Sequence, residues 1–387
     1  MWYFGSPIIV FGEDALNELA SLKGERAFIV TDANIARLGL VDKVTQPLSA
    51  VGMQHRVFAE VEPDPSMETV QRGAEQMRAF APDWIIGLGG GSCMDAAKAM
   101  WVLYEHPEMT PGEINPLVPL GLGEKARLVT IPTTSGTGSE ATWAIMLTDT
   151  QEGRKLALGS RENMAYMAIV DPVMVAGLPA PIAADTGMDA LTHAIEGYTA
   201  NLRNDFCDGL CLVATKLVFQ YLPRSVADAG DKEAREKMHN AASIAGLGFG
   251  NSMAVMAHAM GHSMGAVFHT PHGRAVGLYL PYTIEYTGEA MAERYGDILR
   301  FVGISCAPSD PPARLLAAAI RDLARKIGQP LTLKQAGISA EQFEAGLPRL
   351  VANAESDATL VMGLRIPTSA ELERLYRYAF DGKPIDF

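Results

Sequence analysis

The chain has 387 residues, enough for two domains, and 48% of them are apolar, ample for sizeable cores. A formal net charge of −13 argues against a nucleic-acid partner, because polyanions repel an acidic surface. Four cysteines (Cys93, Cys207, Cys211, Cys306) are too few for a disulfide framework, and the opening Met1-Trp-Tyr-Phe-Gly-Ser6 shows no signal peptide, so a reducing cytoplasm is expected.

Ile8-Ile-Val-Phe-Gly12 reads as a short strand and Asp14 to Leu22 as a helix. Arg26-Ala-Phe-Ile-Val-Thr-Asp32 follows as a strand whose apolar middle suits burial on both faces, as in parallel sheets. It ends in Thr31-Asp32, at the carboxyl edge where open α/β sheets bind ligands. Asp32 there has two readings. Its carboxylate can accept from adenosine ribose hydroxyls and repel a 2′-phosphate, favouring NAD over NADP, or it can cap a helix at Ala33-Asn-Ile-Ala36. A strand over His55 to Val61, the turn Glu62-Pro-Asp-Pro-Ser66 and a helix near Met67 to Phe80 lead to the strand Asp83-Trp-Ile-Ile-Gly-Leu88. This alternation signals a doubly wound α/β domain.

Gly89-Gly-Gly-Ser92 comes next, before the helical stretch Cys93 to Met100. Three glycines let the backbone approach a ligand closely, and the helix offers free N–H groups at its positive end, which suits a pyrophosphate. The run is not G-x-G-x-x-G, and a plain turn is the alternative. Leu128-Val-Thr-Ile-Pro-Thr-Thr-Ser-Gly-Thr-Gly-Ser-Glu140 repeats the pattern of strand and loop, with Thr133, Thr134, Ser135, Thr137 and Ser139 as hydroxyl donors. A solvated loop would also look like this, but two such loops after buried strands favour a shared nucleotide crevice. Lys155 follows a hairpin expected around Thr150-Gln-Glu-Gly153, and Met167 to Val170 is a further strand. Leu178-Pro-Ala-Pro-Ile182 marks the boundary between an α/β domain over 1–180 and an all-helical domain over 181–387.

The first helix past the boundary carries Asp189-Ala-Leu-Thr-His193, which places Asp189 and His193 on one face. A buried Asp there needs a cation. From Met238 to Gly273 there is no Lys, Arg, Asp or Glu, yet His258, His262, His269 and His272 all fall in this run. Its Asn, Ser, Thr and His residues would be costly in hydrocarbon, so it reads as the core of a soluble helical domain and no membrane span is expected. His258 and His262 share a helix face, while Pro271 and Gly273 turn His272 back. Core histidines bonded to carbonyls are the bland alternative. One carboxylate and three imidazoles around a divalent ion, Fe2+ or Zn2+, is the more economical reading.

Over nearly its whole length the chain resembles the iron-containing (group III) alcohol dehydrogenase family. The motifs are Gly89-Gly-Gly-Ser92, Ile131-Pro-Thr-Thr-Ser-Gly-Thr-Gly-Ser-Glu140, Gly187-Met-Asp-Ala-Leu-Thr-His-Ala-Ile-Glu196 and the His258/His262/His272 cluster. The resemblance implies a Rossmann-like N-terminal dinucleotide-binding domain, an all-α C-terminal metal-binding domain and an active site in the cleft between them. It implies metal ligation by Asp189, His193, His258 and His272, with His262 as the catalytic residue close to the nicotinamide. It also implies cofactor contacts from Asp32, Gly89, Gly90, Gly91, Ser92, Thr133, Thr134 and Lys155. The implied reaction is reversible hydride transfer between a small alcohol, or its aldehyde or ketone, and NAD(H), and we expect a homodimer or larger homo-oligomer. Three rival functions compete with it. Dehydroquinate synthase, a related NAD- and zinc-dependent lyase, needs a basic pocket that this uncharged cluster does not offer. The remaining two are a maleylacetate-reductase-like reduction and non-catalytic binding of a metal or nucleotide. Two positions depart from the family pattern: Asp64 in Pro63-Asp-Pro65 stands where Asn is usual, and Arg365-Ile-Pro-Thr368 replaces an Asn-Pro-Arg arrangement.

Overall fold

The computed structural model describes residues 3–151 and 154–387. Met1 and Trp2 of the N-terminal segment, and Glu152 and Gly153 of the expected hairpin turn, lie outside the described residues. Two compact units are present, one ending at Gly177 and the other spanning Leu178–Phe387.

In the first unit the strands are β1 (Ile8–Phe11), β2 (Arg26–Val30), β3 (Gln54–Phe58), β4 (Trp84–Gly89), β5 (Arg127–Pro132), β6 (Ala144–Asp149), β7 (Arg154–Gly159) and β8 (Met167–Val170). Six of them form a parallel sheet in the order β1-β8-β5-β4-β2-β3. The helices are α1 (Ala33–Arg37), α2 (Leu40–Ala50), α3 (Met67–Phe80) and α4 (Gly91–Glu105). β4 is buried at every residue, which explains its unbroken apolar sequence: both faces are covered, as in doubly wound sheets. β6 and β7 pair antiparallel as the expected hairpin.

Three boundaries differ from those expected of the sequence. β2 stops at Val30 because Asp32 caps α1, its Oδ1 accepting from Asn34 N at 2.7 Å and Ile35 N at 3.0 Å. β3 is an edge strand with one buried residue in five and ends at Phe58, not Val61. The segment expected as a helix from Asp14 to Leu22 is a 3-10 helix over Ala15–Ser21, pinned by Leu16 N donating to Asp171 Oδ2.

The second unit contains, among the described residues, the helices α5 (Ala180–Thr199), α6 (Asp205–Ala227), α7 (Lys232–Gly250), α8 (Met256–Phe268), α9 (His272–Tyr286), α10 (Ala292–Val302), α11 (Pro312–Lys326), α12 (Ala340–Ser356) and α13 (Ser369–Asp381). Leu191, Ile195, Met260, Tyr279 and Leu350 lie in one continuous core. α5 and α9 are tied by a bidentate Arg274–Asp185 pair at 3.0 and 3.1 Å. Gly273 makes their approach possible, because a Cβ there would lie 2.1 Å from Asp185 O. No described helix is long and apolar enough to cross a membrane.

Candidate active site

Three helices of the second unit supply one cluster. α5 contributes Asp189 and His193 one turn apart, α8 contributes His258, and α9 contributes His272 at its first residue. One ligand atom from each of the four lies within 4.8 Å of the others. Asp189 Oδ1 is 3.3 Å from His272 Nε2, 3.7 Å from His193 Nδ1 and 3.9 Å from His258 Nε2. Ligands bonded at about 2.1 Å to a tetrahedral ion stand about 3.4 Å apart, so the spacing is that of a coordination shell.

Protonation supports the same conclusion. His258 Nδ1 is 2.5 Å from Glu196 Oε2, and a carboxylate can only accept, so Nδ1 carries the proton and Nε2 presents a lone pair. That lone pair and Asp189 Oδ1 are both buried and make no hydrogen bond with any described residue. Two electron-rich atoms sealed from water need a cation between them. The residues present therefore fit a divalent ion. The cluster is closed around Asp189, His193 and His258 and opens at His272, whose side chain is 36% exposed.

Glu196 closes the Gly187–Glu196 motif, and sequence alone assigns it no role. It is 2% exposed and accepts from Val255 N at 2.9 Å and Ala257 N at 2.5 Å, so it fixes the start of α8 as well as the His258 ring. Its signal in the sequence is a third acid, after Asp185 and Asp189, three residues past His193 on an otherwise apolar helix. His262 sits beside the cluster, its ring centroid 5.2 Å from that of His272. Its Nδ1 is 2.7 Å from Asp357 Oδ2, a partner that sequence reasoning missed. Burial lowers the His262 pKa, whereas the Asp357 carboxyl, raised by burial but more strongly stabilised by His262 and Thr359, falls to about 2. The pair is thus a neutral imidazole donating to an ionised carboxylate. His269 is an exposed residue closing α8 in the left-handed region, with φ of 55°, and lies outside the cluster of ligands.

The first unit brings the two loops together. β4 runs through Gly89 and Gly90 into α4, whose first turn has no side-chain cap. Thr133 N donates to Gly89 O at 2.9 Å, and a Cβ on Gly90 would stand 3.7 Å from Thr134. Asp32 does two things: Oδ1 caps α1 while Oδ2 accepts from Cys93 Sγ at 3.4 Å, beside the start of α4. Ser92 Oγ accepts from Asp64 N at 3.3 Å, and Asp64 Oδ1 pairs with Lys155 Nζ at 2.6 Å. The Gly-rich loop, Thr133, Thr134, Asp32 and Lys155 therefore border one region of the sheet's carboxyl end. Beneath the hydroxyl loop lies the fully buried Lys98, whose Nζ donates to Ser139 Oγ at 2.8 Å and Ala144 O at 2.9 Å. Asp95 Oδ1 accepts from the same Ser139 hydroxyl at 2.6 Å. In sequence this stretch reads only as a helix, and neither residue stands out.

Residues 6–172 match the family model for iron-containing alcohol dehydrogenases, and residues 183–380 match that for the C-terminal region of the Fe-containing alcohol dehydrogenase family. The chain belongs to the iron-containing alcohol dehydrogenase family. Among its relatives, the NADPH-dependent butanol dehydrogenase of Clostridium saccharobutylicum is 39% identical over 381 residues, covering 98% of each chain. Of solved structures, 1,3-propanediol oxidoreductase superposes with a TM-score of 0.93 at 31% identity, covering 98% of this chain and all of that one. Sulfoacetaldehyde reductase from Bifidobacterium kashiwanohense, in complex with NAD+, gives 0.86 at 30% identity over 98% of each. The chain also matches longer aldehyde-alcohol dehydrogenases at 39% identity, spanning 45% of their length. Membership makes it an oxidoreductase of the alcohol dehydrogenase and aldehyde reductase type, over the lyase alternative.

Proposed function

We propose that this chain interconverts a small primary or secondary alcohol and its aldehyde or ketone, using NAD(H) and one divalent ion, Fe2+ or Zn2+. The convergence of Asp189, His193, His258 and His272 on one buried point carries this reading. When bound, the ion supplies Lewis-acid polarisation of the substrate oxygen, and the nicotinamide takes or returns the hydride. The four side chains hold the ion, and Glu196 keeps the His258 lone pair turned toward it. His262 moves the proton: with Nδ1–H committed to Asp357, Nε2 is the atom left to accept the alcohol proton or return it.

On the cofactor side, Asp32, Gly89 to Ser92, Thr133, Thr134 and Lys155 would take the dinucleotide, with the phosphates at the first turn of α4. Asp32 supports NAD, since its carboxylate disfavours a 2′-phosphate. The NADPH-dependent butanol dehydrogenase relative supports the NADP alternative. The reading includes a cytoplasmic homo-oligomer. Its support is four unpaired cysteines and the open edge of β1, where Ile8 and Phe11 are exposed. An anaerobic screen of NADH and NADPH oxidation over aldehydes and ketones, with Fe2+, Zn2+ or no metal, tests the proposal. Metal-independent rates, or no oxidation of either nucleotide by any carbonyl, would sink it.

A further inference from the structure

The turn Pro63-Asp64-Pro65 between β3 and α3 is held in place from several sides. Asp64 N donates to Ser92 Oγ at 3.3 Å, Asp64 O accepts from Thr148 Oγ1 at 3.0 Å, and Pro65 O accepts from Thr148 N at 2.8 Å. Asp64 itself adopts φ of 55°, the left-handed region that Asn and Asp tolerate best among non-glycine residues. Across the hairpin, Thr148 is in register with Lys155, which brings the Lys155 ammonium to 2.6 Å from Asp64 Oδ1. Asp64 is the one carboxylate with which Lys155 forms an ion pair among the described residues.

The position of this pair matters. It adjoins Ser92, the second residue of α4, at a helix end that carries no acidic residue in its first turn. A pyrophosphate seated there would bring two negative charges beside an existing carboxylate, with one ammonium between them. We infer that Asp64 competes with the dinucleotide phosphates for Lys155, and so sets how tightly and how long this chain holds its nucleotide. This rests on the proposed nucleotide site. On binding, Lys155 exchanges the carboxylate for phosphate, and on release Asp64 recovers it. Both partners are partly exposed, at 32% and 61%, so the effect is moderate and sensitive to salt. Asp64 touches no reacting atom. It acts through Lys155.

The test is direct binding of NADH and NADPH to the metal-loaded full chain, by fluorescence titration and stopped-flow release, for Asp64→Asn, Lys155→Met and the double variant. Asn suits the same backbone conformation and nearly the same volume, so Asp64→Asn isolates the charge. We expect Asp64→Asn to lower Kd about threefold to tenfold at low salt, with slower release, and the gain to shrink at roughly 0.5 M salt. Lys155→Met should weaken binding, and Asp64→Asn should gain less in that background, because no ammonium remains to be freed. Equal or weaker binding by Asp64→Asn overturns the inference, as does a full gain without Lys155, which would mean simple repulsion. Unchanged Kd on Lys155→Met removes Lys155 from the phosphates and overturns it while leaving the glycine loop standing. If the parent chain binds neither nucleotide, the nucleotide site itself is wrong and this inference falls with it.

Discussion

His262 and Asp357 are 95 residues apart in sequence, yet His262 Nδ1 lies 2.7 Å from Asp357 Oδ2. The carboxylate fixes both the ring orientation and the tautomer and leaves the Nε2 lone pair of His262 free, as the proposed role of proton acceptor requires. We expect His262→Ala to keep its ion and lose turnover. Asp357→Ala should lower kcat at least tenfold with metal content unchanged, and cost about 1 kcal/mol of stability, because Asp357 also caps the turn at Thr359. Steady-state kinetics with elemental analysis decide the matter. If His262→Ala empties the site while His258→Ala stays metallated, the two roles must be exchanged.

The ion itself is the next expectation. Single Ala variants of Asp189, His193, His258 and His272 should each lose metal and activity together. Glu196→Gln should retain the fold but bind metal roughly 10- to 100-fold more weakly, since the amide no longer fixes the His258 tautomer. Chelator titration followed by elemental analysis measures both. Full occupancy with normal activity in any Ala variant removes that residue from the set.

Cofactor choice turns on Asp32. Oδ1 accepts two backbone amides in capping α1, whereas Oδ2 accepts only the weak Cys93 Sγ donor, so Oδ2 is the oxygen better placed to meet a ribose. We expect kcat/KM to favour NAD over NADP in the parent and the ratio to narrow in Asp32→Gly. Gly keeps much of the cap preference, so the stability loss should be a few tenths of a kcal/mol. Equal use of both cofactors by the parent chain would count against the ribose role.

A fourth expectation concerns acid. His239 on α7 is buried, and burial pulls its pKa down from 6.5 to about 3. The folded chain keeps this imidazole neutral while the unfolded chain protonates it. Stability is therefore fully present above pH 6.5 and falls as the pH drops from there toward 3, by about 1.4 kcal/mol per unit. His239→Asn should flatten that limb: urea midpoints at roughly pH 7.5 and 5.5 should differ by less in the variant than in the parent. An identical pH slope in both would show that another group carries the acid sensitivity.

Much of the fold is legible in the residues alone. Largely apolar runs mark β2, β4 and β5, and the turn of spacing between Asp189 and His193 puts both on one helix face. What escapes notice does so for physical reasons. Lys98 reads as a solvated charge in the middle of a helix, and nothing local says that a hydroxyl loop and Asp95 will enclose it. Glu196 is visible as an acid in an apolar helix but points to no partner, because its donors are backbone amides and an imidazole some 60 residues away. Asp357 sits between helices in a polar stretch and resembles any turn-capping residue. Only the packing of α8 against the segment after α12 gives it His262.

The clustering of four proposed ligands from α5, α8 and α9 also bears on how long the chain survives in a cell. An ion that binds only the folded arrangement stabilises it by about 1.4 kcal/mol for every tenfold excess of free metal over Kd. The unfolded fraction open to proteases shrinks by the same factor. Abundance of this enzyme should therefore follow the supply of the ion, with scarcity removing the protein as well as its activity.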